Sequence, residues 1–327
     1  MPLSEKIEVP PARVSGNEAR GVMLTQMGLA MMASRWAGAR DILVTVGDAT
    51  GETFEPRLRI ATGLIGLARS VARGDVDAAF VNPSGLLTQA YRGKGLFSQP
   101  LDLRILANYP SWDRFICAVH PRTGIKSLVE LRDKRYPLKV SVREDPTHGT
   151  RLLLEVALKA CGFELADIEA WGGQITYTKR PREQSRLDAM ASGEIDAVFD
   201  EGVGSWFREA LDAGLQPMDL GEPAIRELEA VGWRAAVLPA SRYPGLQRDY
   251  TVIDFSGWPL YTRASLPDDD AYRLVDAIAA REDSMPWEAG TYQSIGHPGQ
   301  DTDSTPRDVP LHPGAERWYR EHGWLPG

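Results

Sequence analysis

The residues best suited to chemistry are one histidine and two carboxylates, which stand in two separate short stretches. His148 lies in Thr147-His148-Gly149-Thr150, and Asp200 and Glu201 stand side by side further along the chain. Histidine titrates near neutral pH and burial can raise the pKa of a carboxylate, so these three are the candidates for acid–base catalysis. Nothing in their spacing along the chain requires these three side chains to lie close together in the folded protein. The chain also lacks H-E-x-x-H, G-x-S-x-G, phosphate-loop and dinucleotide-binding glycine motifs.

The histidine stretch is also a candidate anion site. The apolar spacing immediately after it predicts a helix over Arg151–Cys161, so the amides and hydroxyls of the stretch lie at a helix N-terminus. Unpaired N–H groups there favour a carboxylate or a phosphate. A role for Thr150 as a plain N-cap explains the same sequence equally well. The binding candidates from this stretch are Thr147, His148, Gly149 and Thr150.

Other binding candidates stand where a predicted strand gives way to a helix or near a predicted hinge. Small polar residues in such places fix polar ligand groups, but they also serve as ordinary turns and caps, Ser84 in particular being a good N-cap. Aromatic side chains can sandwich an organic ligand, although they more often belong to the core. These candidates are Gly16, Asn17, Thr62, Asn82, Ser84, Tyr109, Trp171 and Glu201.

An internal repeat indicates which elements position these residues. The segment 72–82 aligns with 191–201, sharing identical Ala, Gly, Asp, Ala and Phe residues. In each copy a predicted helix ends at a glycine suited to a left-handed C-cap, and a short apolar run predicts a buried strand. The copies lie about 120 residues apart, beyond the periods of repeat arrays, and therefore predict two α/β domains of similar design. Ligands of such sheets bind beyond the carboxyl ends of the strands.

The order of the predicted elements divides the chain into two domains joined by a two-strand hinge. Residues 1–109 and 246–327 are assigned to the first domain, and residues 110–245 to the second. A predicted strand at Thr251–Phe255 and a predicted helix at Asp269–Arg281 return the chain to the first domain. The ligand cleft is expected between the two domains.

The composition of the chain disfavours some classes of binding partner and cofactor. The 327 residues suit two domains, and 37 Lys and Arg against 45 Asp and Glu give a net charge of −8, which disfavours nucleic acid. Cys117 and Cys161 occur without a C-x-x-C pair, so both are expected to be buried thiols, and neither a metal nor another cofactor is predicted.

One apolar run bears on the cellular compartment of the protein. The run over residues 22–33 comes after Arg20 and precedes Ala37-Gly38-Ala39, an order that imitates a secretion signal with its cleavage site. It begins only after twenty mostly polar residues, however, and is interrupted by polar side chains. The run is therefore not a convincing signal peptide.

Several short motifs, in order along the chain, resemble the TAXI solute-binding proteins of tripartite ATP-independent periplasmic (TRAP) transporters. They include Tyr91-Arg92-Gly93-Lys94-Gly95, Thr123-Gly124-Ile125-Lys126-Ser127-Leu128, Gly149-Thr150, Gly193-Glu194-Ile195-Asp196-Ala197, Leu238-Pro239-Ala240-Ser241-Arg242-Tyr243-Pro244-Gly245, Leu266-Pro267-Asp268-Asp269 and His312-Pro313-Gly314-Ala315. The resemblance implies a type II periplasmic-binding-protein fold, in which two α/β domains close over a small, usually anionic organic solute and pass it to a membrane permease. In this chain His148 stands where the family's Gly-Ser-Gly-Thr pattern has a hydroxyl.

The resemblance implies a solute-binding receptor with two facing walls. Gly16, Asn17, Thr62, Asn82 and Ser84 would line one wall, and Thr147, His148, Thr150 and Glu201 the other. The helix terminus would take a solute carboxylate and Glu201 an amine. Periplasmic location follows from the resemblance, while the weak leader keeps a cytoplasmic location open.

Two alternatives remain open at this stage. One is a cytosolic enzyme on the same scaffold, resembling the dihydroxyphthalate decarboxylases, with His148 as general acid and a cleft carboxylate as its partner. The other is a cytosolic sensor that binds the solute and reports to another protein.

Overall fold

The computed structural model describes residues 23–27, 42–50, 53–62, 65–291, 293–295 and 302–326. Gly16 and Asn17 lie outside the described residues. The strands, in chain order, are β1 (Leu43–Thr50), β2 (Thr53–Ala61), β3 (Ala78–Phe80), β4 (Leu103–Tyr109), β5 (Arg114–Val119), β6 (Lys139–Arg143), β7 (Gln174–Thr178), β8 (Ala197–Asp200), β9 (Gln216–Pro217), β10 (Ala235–Leu238), β11 (Tyr250–Asp254) and β12 (Trp258–Arg263).

Helices connect most of these strands. They are α1 (Leu67–Arg73), α2 (Ser84–Arg92), α3 (Leu128–Lys134), α4 (Gly149–Ala160), α5 (Leu165–Ala170), α6 (Gln184–Ser192), α7 (Val203–Asp212), α8 (Glu222–Val231), α9 (Asp268–Ala279) and α10 (Pro313–Glu321). The helix predicted over 151–161 is confirmed as α4, and the helix predicted over 269–281 is confirmed as α9.

The strands form two sheets. The first has the order β1-β2-β3-β12-β4, and the second has the order β10-β11-β5-β8-β6-β7 with β9 paired to β5. The chain leaves the first sheet after β4 and returns to it at β12, so it passes twice between the sheets. The predicted fold class, an α/β fold built on two helix-flanked sheets joined by two connecting segments, is confirmed.

One predicted strand joins a different sheet from the one expected. The strand expected at 251–255 is β11, but it pairs with β10 and β5 of the second sheet and does not join the first. The chain therefore returns to the first sheet through residues 255–257 and not near residue 246. The apolar run identified a strand correctly, but an apolar run carries no information about which sheet the strand will join.

The two copies of the internal repeat have matching structures. Asp77, just before β3, donates its N–H to the Arg59 carbonyl in β2 at 2.8 Å, and its Oδ2 accepts the Arg59 N–H at 2.7 Å. Asp196, just before β8, accepts the N–H of Lys139 in β6 at 3.2 Å and donates its own N–H to the Lys139 carbonyl. In each sheet the repeat strand therefore lies between one parallel and one antiparallel neighbour.

The apolar core continues from one sheet to the other. One cluster of buried residues contains Val81 and Leu86 near the first sheet together with Phe115 and Leu153 near the second. Cys117 and Cys161 are buried in the same cluster, as their isolation in the sequence predicts. The two sheets are therefore joined by packing as well as by the two connecting segments.

Candidate functional site

The two connecting segments lie side by side where the sheets meet. Ser256 donates its hydroxyl to the Asp113 carbonyl at 3.0 Å and accepts the Asp113 N–H at 2.9 Å. The Ser256 carbonyl in turn accepts the N–H of Ser84, at the start of α2, at 3.0 Å. Residues 110–113 and 255–257 are therefore bound to each other and to the loop after β3.

Asp113 links the first connecting segment to the second sheet. Its carboxylate accepts the N–H groups of Gly202 and Val203, at the N-terminus of α7, at 2.9 and 3.1 Å. It also shares a hydrogen bond with the carboxyl group of Glu201. Burial raises the pKa of Asp113 to about 6, although the backbone donors act in the opposite direction.

Glu201 completes this carboxyl pair and is the less buried of the two acids at the end of β8. Its side chain is 12% exposed, whereas that of Asp200 is fully buried. Burial raises the pKa of Glu201 well above its usual value, and the charges of Asp113 and Asp200 raise it further. The guanidinium of Arg143, which contacts the Glu201 carboxylate, partly offsets this effect.

Asp200 anchors two buried arginines beneath the carboxyl pair. It accepts hydrogen bonds from Arg143 at 3.0 Å and from Arg186 at 2.6 Å, and Arg186 also binds the Ser141 hydroxyl at 2.9 Å. The Arg143 Nε and Arg186 Nη2 atoms are buried without a hydrogen-bond partner among the described residues. The polar side of the second sheet thus contains a dense cluster of opposite charges with two unused donors.

A second charged group lies across the connecting segments. Arg114, the first residue of β5, is 2% exposed and donates to Asp254 at 2.8 Å, to Ser256 at 2.9 Å and to Asp303 at 2.6 Å. Burial raises the pKa of Asp254 to about 7 despite the neighbouring guanidinium. Arg114 therefore joins the start of β5, the end of β11 and the chain beyond β12.

The predicted anion site at the start of α4 is organised differently from the expectation. His148 is the N-cap, and its Nδ1 accepts the N–H of Thr150 at 3.3 Å. Thr150 is fully buried and is not the cap, and its hydroxyl lies 3.1 Å from the same Nδ1. The Thr147 backbone and hydroxyl both bind Asp145. The imidazole therefore caps the helix in place of a hydroxyl.

The start of α4 faces the first sheet at close range. A Cβ atom added to Gly149 would meet Leu86 Cδ1 at 3.1 Å, Phe255 Cζ at 3.5 Å and Pro83 Cδ at 3.6 Å. The structure therefore brings Gly149 to the loop that contains Asn82 and Ser84, two of the residues predicted for the opposite wall. The groups that meet at this contact are apolar.

Asn82 and Ser84 act locally in ways that the sequence did not predict. Asn82 Nδ2 donates to the Gly257 carbonyl at 3.1 Å. Ser84 is 3% exposed and is the first residue of α2, while Pro83 occupies the N-cap position without a side-chain hydrogen bond. The interpretation of Ser84 as an N-cap is therefore wrong.

The remaining candidates make contacts elsewhere. Thr62 Oγ1 accepts the Ile42 N–H at 2.8 Å, which closes the β1–β2 pair. The Tyr109 ring stacks on Trp287 at 5.4 Å. Trp171, at the end of α5, packs on Phe163 at 5.5 Å. None of these three contacts is made with the charged residues around the connecting segments.

Sequence reasoning missed Asp113, Arg114, Arg143, Arg186 and Asp254. A signal was present for several of them, because a charged residue at the edge of an apolar run marks the point where a buried strand reaches a polar site. Arg114 directly precedes the apolar run of β5, Arg143 comes directly after that of β6, and Asp254 comes directly after that of β11.

Two further properties concern only the part of the chain that the structure describes. There, no group of three or more His, Cys, Asp or Glu side chains is placed to hold a metal ion. None of the helices in the same residues combines the length and the apolar composition needed to span a bilayer.

The architecture defines an α/β protein of two sheets, with charged residues gathered around the two segments that join them. Residues 62–323 match the profile of the NMT1-like family, and the chain belongs to that family.

Solved structures with detectable similarity include several binding proteins. The chain is 13% identical to an alkanesulfonate-binding protein from Xanthomonas axonopodis pv. citri bound to MOPS, over 67% of this chain and 62% of that one, with a TM-score of 0.28. It is 14% identical to a glycine betaine/L-proline-binding protein from Borrelia burgdorferi, over 63% and 64%, with a TM-score of 0.36. It is 16% identical to iron-bound HitA from Pseudomonas aeruginosa, over 79% and 86%, with a TM-score of 0.33. The chain spans less than two thirds of the first two proteins.

Proposed function

We propose that the protein is a solute-binding receptor that closes over a small anionic organic solute, a carboxylate or an amino acid, and delivers it to a TRAP-type membrane transporter. The observation that carries this proposal is the placement of buried charged groups around the only two segments that join the sheets among the described residues. Any movement of one sheet relative to the other must change the conformation of these segments. A ligand held there therefore has different contacts in the open and closed forms. Such differential affinity is what drives closure.

The proposed ligand contacts combine the start of α4 with the charged cluster. Backbone N–H groups at a helix N-terminus favour a carboxylate, and Arg143 offers a buried Nε that has no hydrogen-bond partner among the described residues. Glu201, the more exposed member of the acidic pair that ends β8, is the proposed partner of a solute amine. Residues predicted for the opposite wall complete the proposed site, together with Tyr109 near the predicted hinge; the wall residues are Gly16, Asn17, Thr62, Asn82 and Ser84.

Location and partner follow from the same proposal. A receptor that serves a TRAP-type transporter works on the periplasmic side of the membrane, and we propose that location for this chain. Fractionation of the native host, with a cytoplasmic and a periplasmic marker protein as controls, tests it. Recovery with the cytoplasmic marker would contradict delivery to a transporter.

A thermal-shift screen tests the receptor proposal. Purified protein is heated with amino acids, dicarboxylates and aromatic acids. Each compound that shifts the melting temperature is then recovered and its mass is measured by mass spectrometry. A solute at 100 times its dissociation constant stabilises the folded protein by about 2.7 kcal/mol, which raises the melting temperature by several degrees. Loss of the shift in Glu201→Gln and its retention in Arg226→Gln, a change at an exposed arginine of α8, would support the proposed site. A hit that is chemically consumed would overturn the receptor proposal.

One observation favours a second candidate, an enzyme on the same scaffold. Asp113 and Glu201 share a hydrogen bond and have pKa values raised to different extents, an arrangement that lets one carboxyl group donate a proton while its partner stays ionised. In this candidate Glu201 is the general acid in place of His148, whose Nδ1 is used in the α4 cap. Turnover that is lost in Glu201→Gln and persists in His148→Asn would support it.

A further inference from the structure

A groove of about 310 Å³ lies between α1 and the chain after α2, away from the charged cluster. Its volume is at the lower end of the range of small-molecule sites, roughly 300 to 1,000 Å³. Three residues of α1 form one side and four residues of the loop after α2 form the other. The lining residues are Arg69, Ala72, Arg73, Phe97, Ser98, Gln99 and Leu101.

The groove combines an apolar floor with a positive rim. Phe97 is 4% exposed and lies beneath the Arg69 guanidinium, whose central carbon is 4.7 Å from the ring centroid. Arg69 also donates to the Leu96 carbonyl at 2.7 Å, which holds its side chain in one orientation. Ser98 and Gln99 are exposed at the rim. Few but convergent polar groups over apolar surface are typical of ligand sites.

The charges of the groove are not balanced. Arg73 is paired with Asp75 at 2.6 Å, but Arg69 has no carboxylate partner among the described residues, and the lining contains no acidic side chain. Within the same residues, Arg69 uses only one of the five N–H donors of an arginine. One fixed guanidinium with free donors therefore stands over an apolar surface, in a protein whose net charge is −8.

We propose that this groove binds a small organic monoanion, a carboxylate attached to a ring or to a short apolar chain. The carboxylate accepts paired N–H donors from Arg69, and the apolar body packs on Ala72 and Leu101, the half-buried apolar residues of the lining. A single unpaired guanidinium matches one negative charge, whereas a phosphate dianion would require a second. The proposal does not depend on the receptor function, because the groove shares no residue with the charged cluster.

Benzoate is the probe for this site. In a titration followed by backbone amide resonances, benzoate is expected to shift the signals of Ser98 and Gln99 in a saturable manner. Benzamide has the same shape without the charge, and we expect it to bind at least about tenfold more weakly, since a charge-assisted hydrogen bond contributes more than a neutral one. Shifts confined to Glu201 would place benzoate at the charged cluster and would overturn the groove proposal while leaving the receptor proposal intact.

Two matched variants sharpen the test. Arg69→Gln shortens the side chain slightly and removes the charge, so benzoate binding at Ser98 and Gln99 should weaken at least about tenfold. Arg226→Gln removes an exposed charge from α8 and should leave that binding unchanged. Equal affinity in both variants, or equal affinity for benzoate and benzamide, would contradict the proposal.

Discussion

The two copies of the repeat share a structural device and differ in the residues just after the repeat strand. In the first copy Asp77 binds the neighbouring strand through Arg59 and pairs with Arg263 at 3.0 Å. In the second copy Asp196 binds the neighbouring strand through Lys139, and its arginine partner is Arg122, also at 3.0 Å. The aspartate that both copies retain therefore fixes a strand to its parallel neighbour.

The copies diverge beyond the shared positions. Val81, fully buried and apolar, aligns with Asp200, which binds two buried arginines, and Asn82 aligns with Glu201 of the carboxyl pair. The identical positions thus explain the fold, whereas the positions that differ carry the charges. In this chain the differences between the repeats are a better guide to the site than their identities.

The strongest test of this comparison makes the second copy resemble the first. Asp200→Val leaves Arg143 and Arg186 buried without their shared carboxylate, so the free energy of unfolding should fall by about 3–5 kcal/mol. The matched change Val81→Ala removes only apolar contacts and should cost about 2 kcal/mol. Urea denaturation measures both. Equal losses would mean that the charged cluster adds nothing to the second copy.

Part of the pH dependence of stability should come from the carboxyl pair of Asp113 and Glu201, of which the second copy supplies Glu201, and Asp254, whose pKa is raised to about 7, adds to it. Because the folded pKa of Asp113 is raised to about 6, the folded state holds a proton that the unfolded chain releases above about pH 4. This contribution is therefore present below about pH 4 and is lost as the pH rises to about 6, a loss of about 3 kcal/mol, with Glu201 extending the loss to higher pH. Glu201→Gln should flatten the dependence in urea melts at about pH 4, 6 and 8. An unchanged slope would contradict a shared proton.

The shared aspartates should be equally important. Asp77→Ala and Asp196→Ala each leave a strand N–H group without its side-chain acceptor, and each should lower the free energy of unfolding by about 1–3 kcal/mol. Asparagine retains an acceptor oxygen, so the corresponding Asn variants should lose less. A large loss in one copy with none in the other would show that the repeat is shared in sequence only.

The helix caps supply a smaller contrast. α4 has a side-chain cap from His148, whereas α2 begins after Pro83 with no side-chain cap. We expect His148→Ala to cost about 1 kcal/mol and His148→Asn to recover most of it, since asparagine is a favoured cap. Thermal melts can measure the difference. Full stability of His148→Ala would show that the imidazole does not cap the helix.

The smallest effects are expected at the aligned acids Asp75 and Glu194, both exposed. Replacing either with alanine should change the free energy of unfolding by no more than about 0.5 kcal/mol. These variants serve as baselines for the aspartate pair. A loss above about 1 kcal/mol at either position would require a contact beyond the exposed ion pair of Asp75 with Arg73.

Local sequence patterns predicted the helices and strands well, because helix periodicity and short apolar runs depend only on neighbouring residues. The helices α4 and α9 fall within a residue or two of their predicted bounds. The sheet that receives β11 could not be predicted in this way, since its pairing with β5 joins residues far apart in the chain.

The site was predictable only in part for the same reason. The sequence pointed to Glu201 through its place after a strand, but the partners that set its pKa come from distant positions. Arg143 lies 58 residues before it in the chain, and Asp113 lies in a connecting segment with no recognisable motif. Side-chain pairs of this kind depend on how the two sheets pack against each other. No local sequence pattern contains that information.

The pairing of Tyr109 with Trp258 shows how the chain is assembled. These residues are direct partners on β4 and β12, although the whole second sheet lies between them in the sequence. In terms of gene architecture, the second unit is an insertion into a hairpin, whose two ends lie one strand spacing apart, about 5 Å. A two-residue turn is sufficient to join such strands. The first sheet could thus be encoded by one short gene that omits the second unit. In its product the apolar face of α2 would be exposed to water.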